Sequence, residues 1–278
     1  MASQTYSEPV NQLLQIGLPE TDQWPDYLDF GLTSADIPEL IRLVLDEELR
    51  WIEAPEGVEE LPEWYAQIHA WRALAQLKAE QAIPALVSIL HQVDDFDDDW
   101  TGEELIDVFA MIGPAAIPSL ADYLANPENK TYARGAAAGA LPEIVEGHPE
   151  AREECVAALA KALELFEQND ETINAFIICE LVDLRAVEHV ELMEKAFKAD
   201  KVEEVVCGDF EDIQIDLGLL VERKTPPRYS SFTPDINRRQ EESLFSPRAA
   251  STKKAKQEKA KRKQEKLSRK KNRKKKKK

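Results

Sequence analysis

The densest group of potential ligands in this sequence is the run Asp94-Asp95-Phe96-Asp97-Asp98-Asp99-Trp100. Carboxylates at alternate positions are the hard oxygen donors that Ca²⁺ takes. Setting Asp95, Asp97 and Asp99 at the first, third and fifth places of a calcium loop demands Gly at the sixth and Glu at the twelfth. Trp100 and Ile106 stand there, so the pattern fails. The run is expected to be a solvated loop between helices, with Asp99 or Thr101 capping the next helix and Glu103 and Glu104 favouring its N-terminus. Two aromatic rings in so polar a run support a second reading, a partner-binding loop built from Asp95, Phe96, Asp97, Asp99 and Trp100.

Other reactive side chains are scattered. His69, His91, His148 and His189 show no ligand spacing, so they are expected to be helix-surface or core polar residues, and neither a metal nor any other cofactor is expected. Cys155 and Cys179 fall among apolar helix residues and are expected to be core side chains. Cys207 precedes Gly208-Asp209 and should be the most reachable thiol, with Glu203, Glu204, Asp209 and Glu211 around it raising its pKa. Three cysteines without a C-x-x-C fit a reducing cytoplasm. There is no G-x-S-x-G, P-loop or G-x-G-x-x-G, so no catalytic residue is assigned and no small-molecule ligand is expected. Trp51, Trp64 and Trp71 sit at helical spacing with aliphatic neighbours and are expected to fill the core between the first repeats. Arg72 and Arg134 are rare cations in an acidic stretch and should pair across repeats.

Charge divides the chain of 278 residues into unlike parts. Residues 1–250 carry 18 Lys and Arg against 51 Asp and Glu, a net -33, whereas residues 251–278 carry 17 against two, a net +15. The basic segment holds Lys253, Lys254, Lys261, Arg262, Lys263, Arg269, Lys270, Lys271 and Arg273. It ends on Lys274, Lys275, Lys276, Lys277 and Lys278. Such a segment neutralises phosphates and releases their counterions. It has no interleaved aromatics for base stacking, so binding to polyanions is expected without sequence preference, RNA or the ribosome foremost.

The elements that must position these residues follow from a repeat. Ala82-Ile83-Pro84-Ala85-Leu86 returns 34 positions later as Ala116-Ile117-Pro118-Ser119-Leu120, with an earlier copy at Asp36-Ile37-Pro38-Glu39-Leu40. Later units run through Ala137, Leu141, Val156 and Leu159, and through Leu181, Leu184, Val190 and Met193. Apolar residues step by three and four, the helical period, and in the Ile-Pro units proline falls near the start of the second helix, where it costs little. Short amphipathic helix pairs bury their stripes only by stacking. The expected fold is all-α, an α-solenoid of about five helix pairs over residues 1–221. A Pro- and Ser-containing linker (222–250) and a disordered Lys/Arg-rich tail (251–278) should follow.

Tyr132-Ala-Arg134-Gly-Ala-Ala137-Ala-Gly-Ala-Leu141 and Ile112-Gly113-Pro-Ala-Ala-Ile117-Pro118-Ser-Leu120 resemble the HEAT-like repeats first named for phycobilisome lyases. The stretch from Tyr6-Ser-Glu-Pro9 through Trp24-Pro25-Asp-Tyr27 and Ile37-Pro38-Glu-Leu40 to His69-Ala-Trp71-Arg72 looks like a bacterial domain-of-unknown-function family. Gly208-Asp-Phe-Glu-Asp-Ile-Gln-Ile-Asp-Leu-Gly218 is similar to that family's closing motif. The resemblance spans roughly residues 5–221, implies fold and boundaries, and carries no activity. Where relatives end in a cysteine-rich zinc motif this chain ends in lysines, so no metal role transfers.

No run of 18 apolar residues is present and the start lacks the basic and apolar regions of a signal peptide, so a cytoplasmic protein is expected. The functional expectation is a non-enzymatic scaffold that holds a protein partner in the solenoid groove and is tethered to polyanions by its tail. The alternative is a HEAT-like enzyme or chaperone-lyase acting on a chromophore-carrying protein.

Overall fold

The computed structural model describes residues 5–20 and 23–226. The helices named below all belong to one compact unit, which includes residues 5–19 and 25–226. The described residues are helical and contain no strand. In order they form α1 (Ile37–Val44), α2 (Ala66–Gln76), α3 (Ile83–Ser88), α4 (Gln92–Asp95), α5 (Asp99–Ile112) and α6 (Ile117–Ala125). Then come α7 (Thr131–Gly147), α8 (Arg152–Leu163), α9 (Glu171–Asp183), α10 (Val190–Lys198), α11 (Glu204–Cys207) and α12 (Phe210–Asp216).

Each second helix of a pair is announced by a short 3-10 turn: Ser34–Asp36, Glu80–Ala82, Pro114–Ala116, Pro149–Ala151 and Val187–His189. The Ala-Ile-Pro signature lies across that transition. Ala82 and Ala116 are buried beneath the turn, Ile83 and Ile117 begin the α-helix, and Pro84 and Pro118 occupy its first turn, where no N–H is missed. Pro38 does the same in α1.

The helices pack in two layers. Successive contacts join α2 to α5, α5 to α7 and α7 to α9 in one, and α1 to α3, α3 to α6, α6 to α8 and α8 to α10 in the other. Leu86, Ile117 and Leu120 are buried between the layers, as the repeat register requires, with Leu74, Leu105, Leu141 and Leu181. The first pair lacks an α-helical first member. The 3-10 turns Val10–Gln15 and Tyr27–Phe30 pack on α2 in its place.

The glycines of α7 permit close approach. A Cβ on Gly135 would meet the Phe176 ring of α9 at 2.8 Å, and one on Gly139 would lie 3.3 Å from Ile106 of α5 and 3.6 Å from Glu180 of α9. The stripe of small residues is therefore filled from both neighbouring helices.

The tryptophans correct one expectation. Trp71 is 1% exposed and fills the core, but Trp51 is 57% exposed and Trp64 is half-buried, its Nε1 donating to the Ile52 carbonyl at 3.0 Å. Of these three, Trp71 alone lies on an α-helix. Trp51 and Trp64 sit in separate 3-10 turns, Glu47–Trp51 and Pro62–Tyr65, so their spacing never defined a common face.

Candidate functional site

The acidic run forms the junction between α4 and α5. Asp97 adopts φ +54, a left-handed conformation that Asp tolerates better than most residues, and this turn ends one helix and frees the next to start. The cap of α5 is Asp98, neither Asp99 nor Thr101. Its carboxylate accepts from Trp100 N at 3.0 Å and Thr101 Oγ1 at 3.1 Å, and pairs with Arg50 at 2.7 Å. Asp99 is the first residue of the helix and Trp100 the second, both half-buried.

The rest of the run reaches other repeats. Asp94 accepts from Tyr132 N at 3.3 Å and Ala133 N at 2.8 Å, capping the first turn of α7, which has no side-chain cap of its own. Asp95 is exposed and holds Lys130 by an ion pair and His91 at 2.9 Å. Hydrogen bonds from Lys130 and then His91 hold its carboxyl below the ordinary aspartate range. Phe96 is half-buried between neighbours. The Trp51 ring meets it edge-on at 5.8 Å, His91 lies 6.2 Å away, and the Arg50 guanidinium sits 5.2 Å over its face. Arg50 also donates to the fully buried Gln92 at 2.7 Å.

Of the five residues singled out as partner-binding, Asp95 and Asp97 are therefore exposed, while Phe96, Asp99 and Trp100 are half-buried. The basic residues of 253–278 lie outside the described residues. Asp94, Asp98, Arg50 and Lys130 tie the junction to its neighbours, and no local spacing marks them for that role. The exposed Trp51 joins the half-buried Phe96 in an aromatic corner, again with no signal in their spacing. Beside the junction, at the start of α7, a cleft of about 560 Å³ is lined by Asp94, Lys130, Tyr132, Arg134, Gln168 and Asp170.

The two arginines behave as cross-repeat bonds. Arg72, fully buried in α2, pairs through Nε and Nη2 with Glu104 of α5, and Trp71 Nε1 donates to the same carboxylate at 3.2 Å. Arg72 also lies beside the Tyr27 hydroxyl, which donates to His69 Nδ1 at 2.6 Å; His69 Nε2 donates to the Gly17 carbonyl at 2.8 Å. Burial drops the His69 pKa to about 4, so the ring stays neutral at physiological pH. Arg134 is buried but makes no ion pair. It donates to the Leu124 carbonyl at 2.7 Å and to Asn169 at 2.8 Å, and burial lowers its pKa.

The thiols need a second correction. Cys155 is fully buried, but Cys179 is only half-buried, no more enclosed in class than Cys207. The Cys207 thiol is pushed far up, and the first cause is a hydrogen bond with Cys179, followed by burial; the neighbouring acids contribute least. Gly208 follows with φ +83, where a Cβ would lie 2.7 Å from Asp212, and Asp209 caps α12. Arg223 then pairs with both Asp209 and Asp212, so the closing motif is a small structural clasp.

Among the described residues no three His, Cys, Asp or Glu side chains group to hold a metal, and no single helix is long and apolar enough to cross a membrane. No curated protein and no solved structure matches the chain. A family model described as "Protein of unknown function (DUF1186)" matches residues 34–224, from the 3-10 turn before α1 to the Arg223 clasp. The chain belongs to the DUF1186 family.

Proposed function

We propose that the chain is a non-enzymatic protein-binding scaffold of the bacterial cytoplasm, tethered to polyanions, RNA or the ribosome foremost, by its Lys/Arg-rich C-terminal segment. The observation that carries this reading is the segregation of charge, -33 over residues 1–250 against +15 over residues 251–278. A body so acidic repels phosphate backbones within a Debye length of about 8 Å at physiological salt, whereas the terminal segment attracts them. The partner-binding half of the reading is supported by the exposed Trp51 beside Phe96, with Asp95 and Asp97 nearby in sequence. A partner segment with apolar side chains among basic ones would suit that corner.

The test compares the full chain, a chain ending at residue 226, and isolated residues 222–278 for binding to unstructured RNA over a salt series. The isolated segment should bind most tightly, the full chain less so, and the shortened chain not at all. Neutral replacement of Lys274 to Lys278 should flatten the salt slope. If the full chain shows no salt-sensitive RNA or DNA binding even at low ionic strength, the tether is refuted.

A further inference from the structure

Two of the chain's three cysteines meet across elements that are distant in sequence. Cys179 sits in the third turn of α9 and Cys207 is the last residue of α11, which packs directly on α9. The Cys207 side chain interacts with that of Cys179 across this contact, and its Sγ also meets the Gly208 carbonyl at 3.6 Å. Both thiols are half-buried, whereas Cys155 is enclosed in α8 with its pKa pushed up to about 11 by burial. The cover over the pair is thin. α11 is a single turn of four residues, Val205 and Val206 within it are exposed, and Glu203 N donating to the Glu171 carbonyl at 3.0 Å ties its start to α9. Short elements of this kind open locally at low cost, which gives small oxidants access.

We propose that Cys179 and Cys207 form a reversible dithiol–disulfide pair, oxidised by a hydroperoxide such as hydrogen peroxide, that fastens α11 and the closing clasp to α9. The Cys179 thiolate attacks one peroxide oxygen. An S–O bond forms, the O–O bond breaks, and the departing hydroxide leaves as water with a proton, giving a sulfenic acid on Cys179. The Cys207 sulfur then attacks the Cys179 sulfur, forming the S–S bond as the S–O bond breaks, and a second water leaves with the Cys207 proton. Two thiols and one peroxide become one disulfide and two waters. The order of roles follows from the pair's environment: Cys207 is held protonated by its interaction with Cys179 and by burial, so it is not the thiol that meets the peroxide first, and it gives up its proton only as its sulfur closes on the sulfenic acid. A dithiol reductant reverses the reaction by exchange.

The full chain is treated with equimolar hydrogen peroxide, blocked with N-ethylmaleimide and digested with trypsin without reduction. The expected product is peptide 162–185 joined to peptide 202–223 and two hydrogens lighter than their sum, lost again on reduction. In the folded chain it should form at least about tenfold faster than in chain unfolded by urea, because α9 already holds the sulfurs together. Cys207→Ser should leave a dimedone-reactive Cys179, and Cys179→Ser should give no linked peptide. The disulfide should slow proteolytic cleavage within residues 204–226 about tenfold or more. Linkage to Cys155, linkage between chains, equal rates in folded and unfolded chain, or independent oxidation of both thiols without a linked peptide would each overturn the proposal.

Discussion

Replacing Arg72 by Met tests whether α2 and α5 are joined as described. The Arg72 side chain is fully enclosed and that of Glu104 is 10% exposed, so the pair has left water almost completely. Removing one partner leaves a carboxylate buried against the Trp71 indole with no counter-charge, and takes away the cation beside the Tyr27 hydroxyl. The expected cost is about 3–5 kcal/mol, most of it the stranded charge and not the pair's net worth. With a urea slope of about 2–3 kcal/mol per molar for a domain of this size, the unfolding midpoint should fall by roughly 1–2 M. Arg72→Met with Glu104→Met removes both charges and keeps the volume filled. It should recover at least about 2 kcal/mol of the sum of the single losses, a coupling that a double-mutant cycle reads directly. Fluorescence of the tryptophans and far-ultraviolet circular dichroism should give the same midpoint, since stacked repeats can otherwise unfold in steps. Arg72→Met within about 1 kcal/mol of wild type, or a double variant as unstable as the two losses added, would refute the buried bridge.

Leu86→Ala and Leu120→Ala, each emptying a fully buried site between the layers, should cost about 2–5 kcal/mol by the same assay. Glu180, half-buried where α9 meets α7 with Asp183 and Glu143 beside it, has its pKa raised to about 7, chiefly by burial. Below the unfolded value of 4.5 it is protonated in both states and costs nothing; between there and about 7 only the unfolded chain ionises, so native stability falls as pH rises. Glu180→Gln should therefore match wild type near pH 4 and exceed it by at most ~3 kcal/mol at pH 8, measured as paired denaturation curves. Gly135→Ala gains helix propensity but drives a methyl into the Phe176 ring, so a net loss of about 1–3 kcal/mol is expected, and most of it should disappear in a Phe176→Leu background.

What the sequence made legible is what repeats. The apolar period is local, so the helices and their buried leucines follow from spacing alone, and the Ala-Ile-Pro signature, with its variant Asp36-Ile37-Pro38, marks the 3-10 entry to α1, α3 and α6. The misreadings came where spacing was applied outside a helix, as with Trp51 and Trp64, or where neighbours are chemically alike. Asp98 and Asp99 differ as caps only in backbone conformation, which the turn at Asp97 decides. The polar partners were legible in a way that composition hides. Arg72 and Glu104 are 32 positions apart, Lys130 and Asp95 35, Arg134 and Asn169 35, and Arg152 and Glu188 36. Each interval is close to the 34 residues that separate Ala-Ile-Pro from its copy, because a side chain on one helix pair faces the equivalent position of the next. A buried cation in a stacked repeat should therefore be sought a partner one period away in either direction, before any nearer acid is considered. The rule stops at Asp200, where the last pair ends: Cys179 meets Cys207 and Asp209 meets Arg223 through a closing segment that copies no repeat, so no offset could have joined them.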